Sequence, residues 1–165
     1  MHSATPYIGR FAPTPSGYLH FGSLLAALAS YLDARHQQGR WLIRVEDLDQ
    51  PRSIPGASEH IIETLACYGM YSDGEIIFQQ DRLTTYQAQI DQWLTTGQAY
   101  YCDCSRRQLA EFNGIYPGTC RHRQLPAAAD HAVRLIAPKQ PLTALDRLQP
   151  PLTQDLATAT GDFII

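Results

Sequence analysis

The sequence predicts an α/β fold, a parallel sheet with crossover helices, followed by a second module that carries cysteines. Three observations predict it. Short apolar strand patterns alternate with helical ones from Tyr7 to Thr96. The two least ordinary loops each follow a strand. Near Ala99 the alternation stops and clustered cysteines and arginines begin. Strand–helix alternation favours a parallel sheet with right-handed crossovers. In such sheets ligands sit at the carboxyl ends of the strands, and both unusual loops fall on that edge.

The elements follow in order. Tyr7-Ile8-Gly9-Arg10-Phe11 reads as a strand. From about Phe21 to Gln38, Leu24, Leu25, Leu28, Tyr31 and Leu32 recur at helical spacing, and Gly39 closes the helix. Trp41–Val45 is a second strand. Ala57–Tyr68 is a second helix, opened by Pro55-Gly56. Ile76–Phe78 is a third strand, and Leu83–Thr96 a third helix closed by Gly97. Residues 1–98 therefore form the first module and 99–165 the second. The second contains a weaker strand at Ala132–Ile136. At the end, Gly161–Ile165 opens like a strand and stops, which predicts a truncated chain.

Composition narrows the function classes. In 165 residues, 44% are hydrophobic and 18% charged, enough apolar surface for a core and too little charge for a disordered chain. No apolar run reaches the length of a membrane span. Met1–Pro6 lacks the basic and apolar regions of a leader, so the cytoplasm and no membrane partner are expected. The formal net charge of −3 argues against a nonspecific nucleic-acid coat. Positive charge gathers locally at Arg106, Arg107, Arg121 and Arg123, with His122 among them. Acidic residues gather at Glu46, Asp47 and Asp49. Cys67 stands in an apolar helical pattern and reads as a small buried residue.

The first loop runs from Ala12 through Pro13, Thr14, Pro15, Ser16 and Gly17 to His20, Phe21, Gly22 and Ser23. Two prolines stiffen it. Gly22 lets a base or phosphate approach the backbone. The free N–H groups and dipole of the following helix favour phosphate. His20 can donate to phosphate oxygens as charge builds during attack on an α-phosphorus. The run Arg10-Phe11-Ala12-Pro13-Thr14-Pro15-x-Gly17-x-Leu19-His20-x-Gly22 resembles the HIGH signature of class I aminoacyl-tRNA synthetases in its glutamate form. Ser23 takes the place of the final histidine, so the weight rests on His20. The resemblance implies a Rossmann-like nucleotide-binding half. It implies His20, Gly22 and Ser23 as catalytic residues, and Pro13, Gly17, His20, Gly22 and Ser23 as the ATP loop.

Arg44-Val45-Glu46-Asp47-Leu48-Asp49-Gln50-Pro51-Arg52 follows the second strand. An amino-acid substrate needs an anion for its ammonium group, and glutamate also needs a guanidinium for its side chain. Glu46 suits the first role. Arg10 suits the second, because a bidentate pair separates carboxylate from amide. The stretch is similar to the Arg-x-Glu-Asp-x-Asp-x-x-Arg signature of glutamyl synthetases. By that resemblance Arg10, Phe11, Ala12, Pro13, Thr14 and Glu46 line the glutamate site.

Cys102, Cys104 and Cys120 can take three corners of a zinc tetrahedron. For the fourth, His122 is the chemically easy candidate and Tyr116 the less usual one. The segments Tyr101–Arg106 and Ile115–Arg121 resemble the zinc part of the acceptor-stem domain in the glutamyl-Q branch of the family. There the ligands map to Cys102, Cys104, Tyr116 and Cys120, with one structural Zn2+. The Cys-x-His ending of glutamyl-tRNA synthetases would use His122 instead. Such a zinc would orient the nearby arginines toward an RNA backbone.

The glutamyl-Q resemblance spans nearly the whole chain. It implies glutamyl-adenylate formation from L-glutamate and ATP with Mg2+, then transfer to queuosine in the anticodon of tRNA(Asp), by a monomer. The family's second ATP loop, KMSKS, has no counterpart: Lys139, the only lysine, sits between Pro138 and Gln140-Pro141. This piece alone is therefore expected to bind ATP weakly and not turn over. Three other readings share part of the pattern: a glutamyl-tRNA synthetase cut short, a small nucleotidyltransferase, and a noncatalytic zinc-containing RNA-binding fragment. The Arg10/Glu46 pair and the cysteines speak against the nucleotidyltransferase.

Overall fold

The computed structural model describes residues 6–146 and 148–165. The leader reading concerned Met1–Pro6, of which all but Pro6 lie outside the described residues. The chain forms two compact units, residues 1–85 and 86–165.

In the first unit, β1 (Ile8–Phe11), α1 (Phe21–His36), β2 (Arg40–Val45), α2 (Ala57–Cys67) and β3 (Ile77–Phe78) follow in order. The strands lie side by side in that order and pair in parallel, with Phe11 opposite Ile43 and Val45 opposite Phe78. The expected parallel sheet is present. Its core gathers Ala27 and Ala34 of α1, Trp41 and Ile43 of β2, and Ile61 and Leu65 of α2. Burying Ile61 and Leu65 stabilises by about 1.5–3 kcal/mol each. Trp41 meets Tyr31 edge-on at 5.3 Å and stacks with Phe11 at 6.4 Å, and its indole N–H donates to Ser30 Oγ at 2.9 Å. Small residues set the helix–sheet spacing: a Cβ on Gly9 would lie 3.0 Å from that of Ala34. The turn after α2 is tied down by Asp73, which accepts two bonds from Arg35 and one from the Trp41 amide.

Three details depart from expectation. Gln38, not Gly39, takes the left-handed conformation past α1, with φ 52°. Gly39 is needed for space, because a Cβ there would collide with the Tyr7 carbonyl that accepts from Arg40. On α1 only the Leu24/Tyr31 side packs into the core, whereas Leu25, Leu28 and Leu32 are exposed. Cys67 is exposed rather than buried. It is two residues past Leu65, about 200° around the helix, and so faces away from the core.

The second unit has a different logic. α3 (Leu83–Thr95) leads into it and ends at Gly97, φ 71°, as expected. β4 (Ala99–Cys102) pairs antiparallel with β5 (Ala132–Leu135). Between them lies α4 (Arg106–Ala110), opened by a Ser105/Gln108 capping box. A hairpin of β6 (Leu142–Ala144) and β7 (Leu152–Gln154) precedes α5 (Leu156–Ala159). β8 (Phe163–Ile164), where the sequence opens a strand, then pairs antiparallel with β5.

Candidate functional site

Two loops at the carboxyl edge of the parallel sheet are sewn together by backbone. Glu46 N–H donates to Pro13 O and Ile54 N–H to Pro15 O, each at 2.8 Å. Gly17 takes φ 146°, a conformation other residues rarely adopt. His20 caps α1: its Nδ1 accepts from the Ser23 amide at 3.2 Å, and its Nε2 lies 3.0 Å from Ser23 Oγ. A Cβ on Gly22 would stand 3.2 Å from two atoms of the His20 ring, so Gly22 leaves the imidazole its place. The first turn of α1 carries no acidic residue, and its positive end stays unopposed there.

Side chains alternate across a strand. Gly9 faces α1, so Arg10 lies on the opposite face, level with Leu42. Arg10 is exposed and has no hydrogen bond or ion pair among the described residues. Phe11 belongs to the core, while Ala12, Pro13 and Thr14 carry the backbone round the corner. Glu46 is held by Arg44: Nε donates to Oε1 at 2.8 Å and Nη2 at 2.7 Å. Both bonds fall on one oxygen, which leaves Oε2 able to accept from an ammonium group. Asp47 and Asp49 brace the loop, Asp47 accepting from the Gln80 amide and Asp49 from Arg52. The structure thus puts the stiff loop, the helix start and the carboxylate loop into one constellation.

In the second unit, Cys102, Cys104 and Cys120 bring their sulfurs within 4.8 Å of one another. Cys104 and Cys120 sulfurs are 3.5 Å apart. Tyr116 Oη lies 3.4 Å from the Cys102 sulfur and 3.6 Å from that of Cys104. A tetrahedral zinc with bonds of about 2.3 Å spaces its sulfurs about 3.8 Å apart, so the four atoms stand nearly where such an ion needs them. His122 is exposed and outside this group. The structure therefore brings Tyr116, not His122, to the three thiols. Burial raises the Cys102 thiol, but hydrogen bonds from Tyr116, the Cys104 backbone and Arg134 outweigh it and bring it to about 7. Burial pushes Cys104 up to about 11, and burial with the neighbouring thiols also raises the Tyr116 phenol.

The model of the catalytic domain of class I tRNA synthetases (E and Q) matches residues 8–131. The chain belongs to this family. The glutamyl-Q tRNA(Asp) synthetase of Photobacterium profundum is 52% identical over 165 residues, which are 100% of this chain and 53% of that protein. The one from Ectopseudomonas mendocina is 55% identical over 161 residues, 98% of this chain and 54% of that protein. The chain thus spans about half the length of these relatives. Among solved structures, the glutamate tRNA ligase of Elizabethkingia meningosepticum, in complex with its amino acid, superposes with a TM-score of 0.79 at 26% identity. That match covers 97% of this chain and 38% of that one. The fold is a Rossmann-like class I synthetase catalytic domain.

For this synthetase chain, two residues escaped the reading of its sequence. Asp162 is 1% exposed and is the hub of the second unit. Its carboxylate accepts from Tyr100 Oη at 2.5 Å, from Arg121 Nε and Nη2 at 3.1 and 2.8 Å, and from the Ala137 amide at 2.9 Å. Burial raises its carboxyl, and these donors more than offset that, so it lies below the usual carboxylate range. Arg134 is 5% exposed, and its guanidinium covers the Tyr116 ring at 3.8 Å. A charge inside an apolar strand pattern, Asp162 beside Phe163 and Arg134 beside Leu135, was the available signal. The basic cluster also divides. Arg121 is spent on Asp162, and Arg123 on Asp103 at 2.5 and 2.8 Å. Arg106 and Arg107 on α4 are exposed without an ion pair among the described residues.

Proposed function

We propose that this chain carries the glutamate- and ATP-binding part of an enzyme that makes glutamyl-adenylate and passes glutamate to queuosine in tRNA(Asp). The observation that carries the reading is the joining of the two loops by the Pro13–Glu46 and Pro15–Ile54 bonds. These bonds set the start of α1 beside a carboxylate with a free oxygen. The unpaired Arg10 would take the side-chain carboxylate of glutamate, and Glu46 Oε2 its ammonium. An oxygen of the α-carboxylate attacks the α-phosphorus of ATP. The bond to the bridging oxygen breaks, and pyrophosphate leaves with that electron pair. No general base is required, since the attacking carboxylate is already ionised. His20, Gly22, Ser23 and the backbone of Pro13 to Gly17 hold the phosphates, and Mg2+ accompanies the ATP. Position and charge stabilisation do the work.

The second unit would act as the acceptor-type module, with Cys102, Cys104, Tyr116 and Cys120 holding one structural Zn2+. The ion would supply rigidity, not chemistry. The names of the Photobacterium profundum and Ectopseudomonas mendocina relatives support the choice of queuosine and tRNA(Asp). In the full-length protein, glutamate-dependent ATP–pyrophosphate exchange without tRNA, followed by transfer of labelled glutamate to tRNA(Asp) only when it contains queuosine, is the expected result. Exchange that requires tRNA, with label at the 3′ end, would replace this reading by that of a glutamyl-tRNA synthetase. Zinc and tRNA binding without any exchange would leave a noncatalytic RNA-binding role.

A further inference from the structure

A buried arginine without a carboxylate partner needs an explanation, because an unpaired charge in the interior is costly. Arg134 is such a residue. The carboxylate nearest in its network, Asp162, gives its oxygens to Arg121, Tyr100 and Ala137, and offers Arg134 only its backbone carbonyl at 2.8 Å. The Nε of Arg134 is buried with no hydrogen-bond partner. What Arg134 faces is the Tyr116 ring, 3.8 Å from the guanidinium carbon. At Cys120 a second arginine stands ready: Arg123 Nη1 is 3.4 Å from the sulfur, with its guanidinium fixed by Asp103.

Three thiolates around one divalent ion leave a net negative charge. Cations that donate to the ligands are the outer partners such a centre requires. We propose that Arg134 and Arg123 are positioning residues of the metal centre. Arg134 holds the Tyr116 ring and compensates the centre's charge from inside the unit. Arg123 donates to the Cys120 sulfur from its half-exposed side. The proposal rests on the reading of Cys102, Cys104, Tyr116 and Cys120 as a site for a divalent cation. It explains why a cation is buried where no carboxylate is spare, and why the tyrosine's oxygen rather than its ring edge meets the sulfurs. Backbone supports the same placement, since the Tyr116 amide donates to Thr160 O at 3.0 Å.

The test is titration of the full chain with Co2+ and Zn2+ in competition with a chromophoric chelator. Arg123→Gln, Arg134→Met and Arg134→Lys are compared, with Tyr116→Phe as the reference for a lost oxygen ligand. The wild type takes up one equivalent. Arg134→Met weakens binding about 10–100-fold, the range for outer-shell partners, and Arg123→Gln weakens it less. The visible Co2+ spectrum of Arg134→Met moves to that of Tyr116→Phe, a change that loss of packing elsewhere would not produce. Arg134→Lys restores part of the affinity but not the spectrum, because an ammonium does not cover the ring as a planar guanidinium does. If Arg134→Met does not fold, Arg123→Gln and Arg134→Lys decide. Wild-type affinity and spectrum in both overturn the proposal. No metal uptake by the wild type overturns the metal site itself.

Discussion

Replacing Asp162 by alanine should unfasten the second unit and leave the first alone. The carboxylate is fully buried and serves three donors of different cost. The Ala137 amide, only 7% exposed, would lose its acceptor, at about 1–3 kcal/mol for a buried unsatisfied donor. The Tyr100 phenol, partly buried, loses a charge-assisted bond worth about 1.5 kcal/mol. Arg121 is 37% exposed at its side chain, so water replaces its partner and the loss adds under about 1 kcal/mol. The sum is about 3–5 kcal/mol, in the range for breaking a buried ion pair. Native-state hydrogen exchange reads it locally: amides of Ala99–Cys102 and Ala132–Leu135 should lose protection by that amount, while those of Trp41–Val45 keep theirs. A loss below about 1 kcal/mol at the β4–β5 amides would refute the idea that Asp162 is the hub. Equal losses in both units would refute its confinement to one.

Other perturbations test other joints. Gly161→Ala should cost about 1–3 kcal/mol for the left-handed backbone alone, since Gly161 has φ 70°. The added Cβ would also meet the Tyr116 carbonyl. A lower melting midpoint together with weaker Zn2+ uptake is the expected result. Gln38→Gly should stabilise the first unit by about 1 kcal/mol, because Gln38 pays for its positive φ; a chemical denaturation curve measures it. Asp162 and Asp73 both titrate below their ordinary values when folded. Their contribution is thus complete above the unfolded carboxylate pKa of about 3.9 and lost as pH falls through the lower folded values. Urea midpoints should drop below about pH 4, less steeply in Asp162→Asn. His20→Asn keeps a good helix cap but removes Nε2. In the full-length enzyme it should lower pyrophosphate exchange about 10²–10³-fold with an unchanged melting midpoint.

Much of the first unit was legible because its signals are local. A β-branched or aromatic run, a helical period and a stiff proline loop each declare themselves within a dozen residues, and β1, α1, β2 and α2 stand where those signals put them. The end of α1 was misread because propensity favours Gly39 in the left-handed position. The space beside Tyr7 O claims the glycine instead and pushes the strained φ onto Gln38. The second unit was less legible because its joints are distant. Arg121 meets Asp162 41 residues away, and nothing local in either segment names the other. Seen as sequence, Arg121 and Arg123 were free cations for RNA; seen folded, both are committed to carboxylates. The metal cluster shows the same limit. Residue type alone favoured His122 and only the family resemblance pointed to Tyr116; the fold sets the Tyr116 phenol beside the sulfurs of Cys102 and Cys104.

The serine that stands where the HIGH signature has its last histidine also finds its place. Nδ1 of His20 accepts from the Ser23 amide, so in the neutral ring the proton sits on Nε2. That proton points at Ser23 Oγ, 3.0 Å away. A hydroxyl can accept it now and turn aside later, since its own proton rotates freely. The cap therefore prepares the tautomer that a phosphate oxygen would need, and the small serine parks the donor without blocking it. Gly22 belongs to the same device, because any side chain there would press on the ring that must stay in this orientation. The cap and the phosphate recognition proposed for this loop would share one arrangement of these three residues.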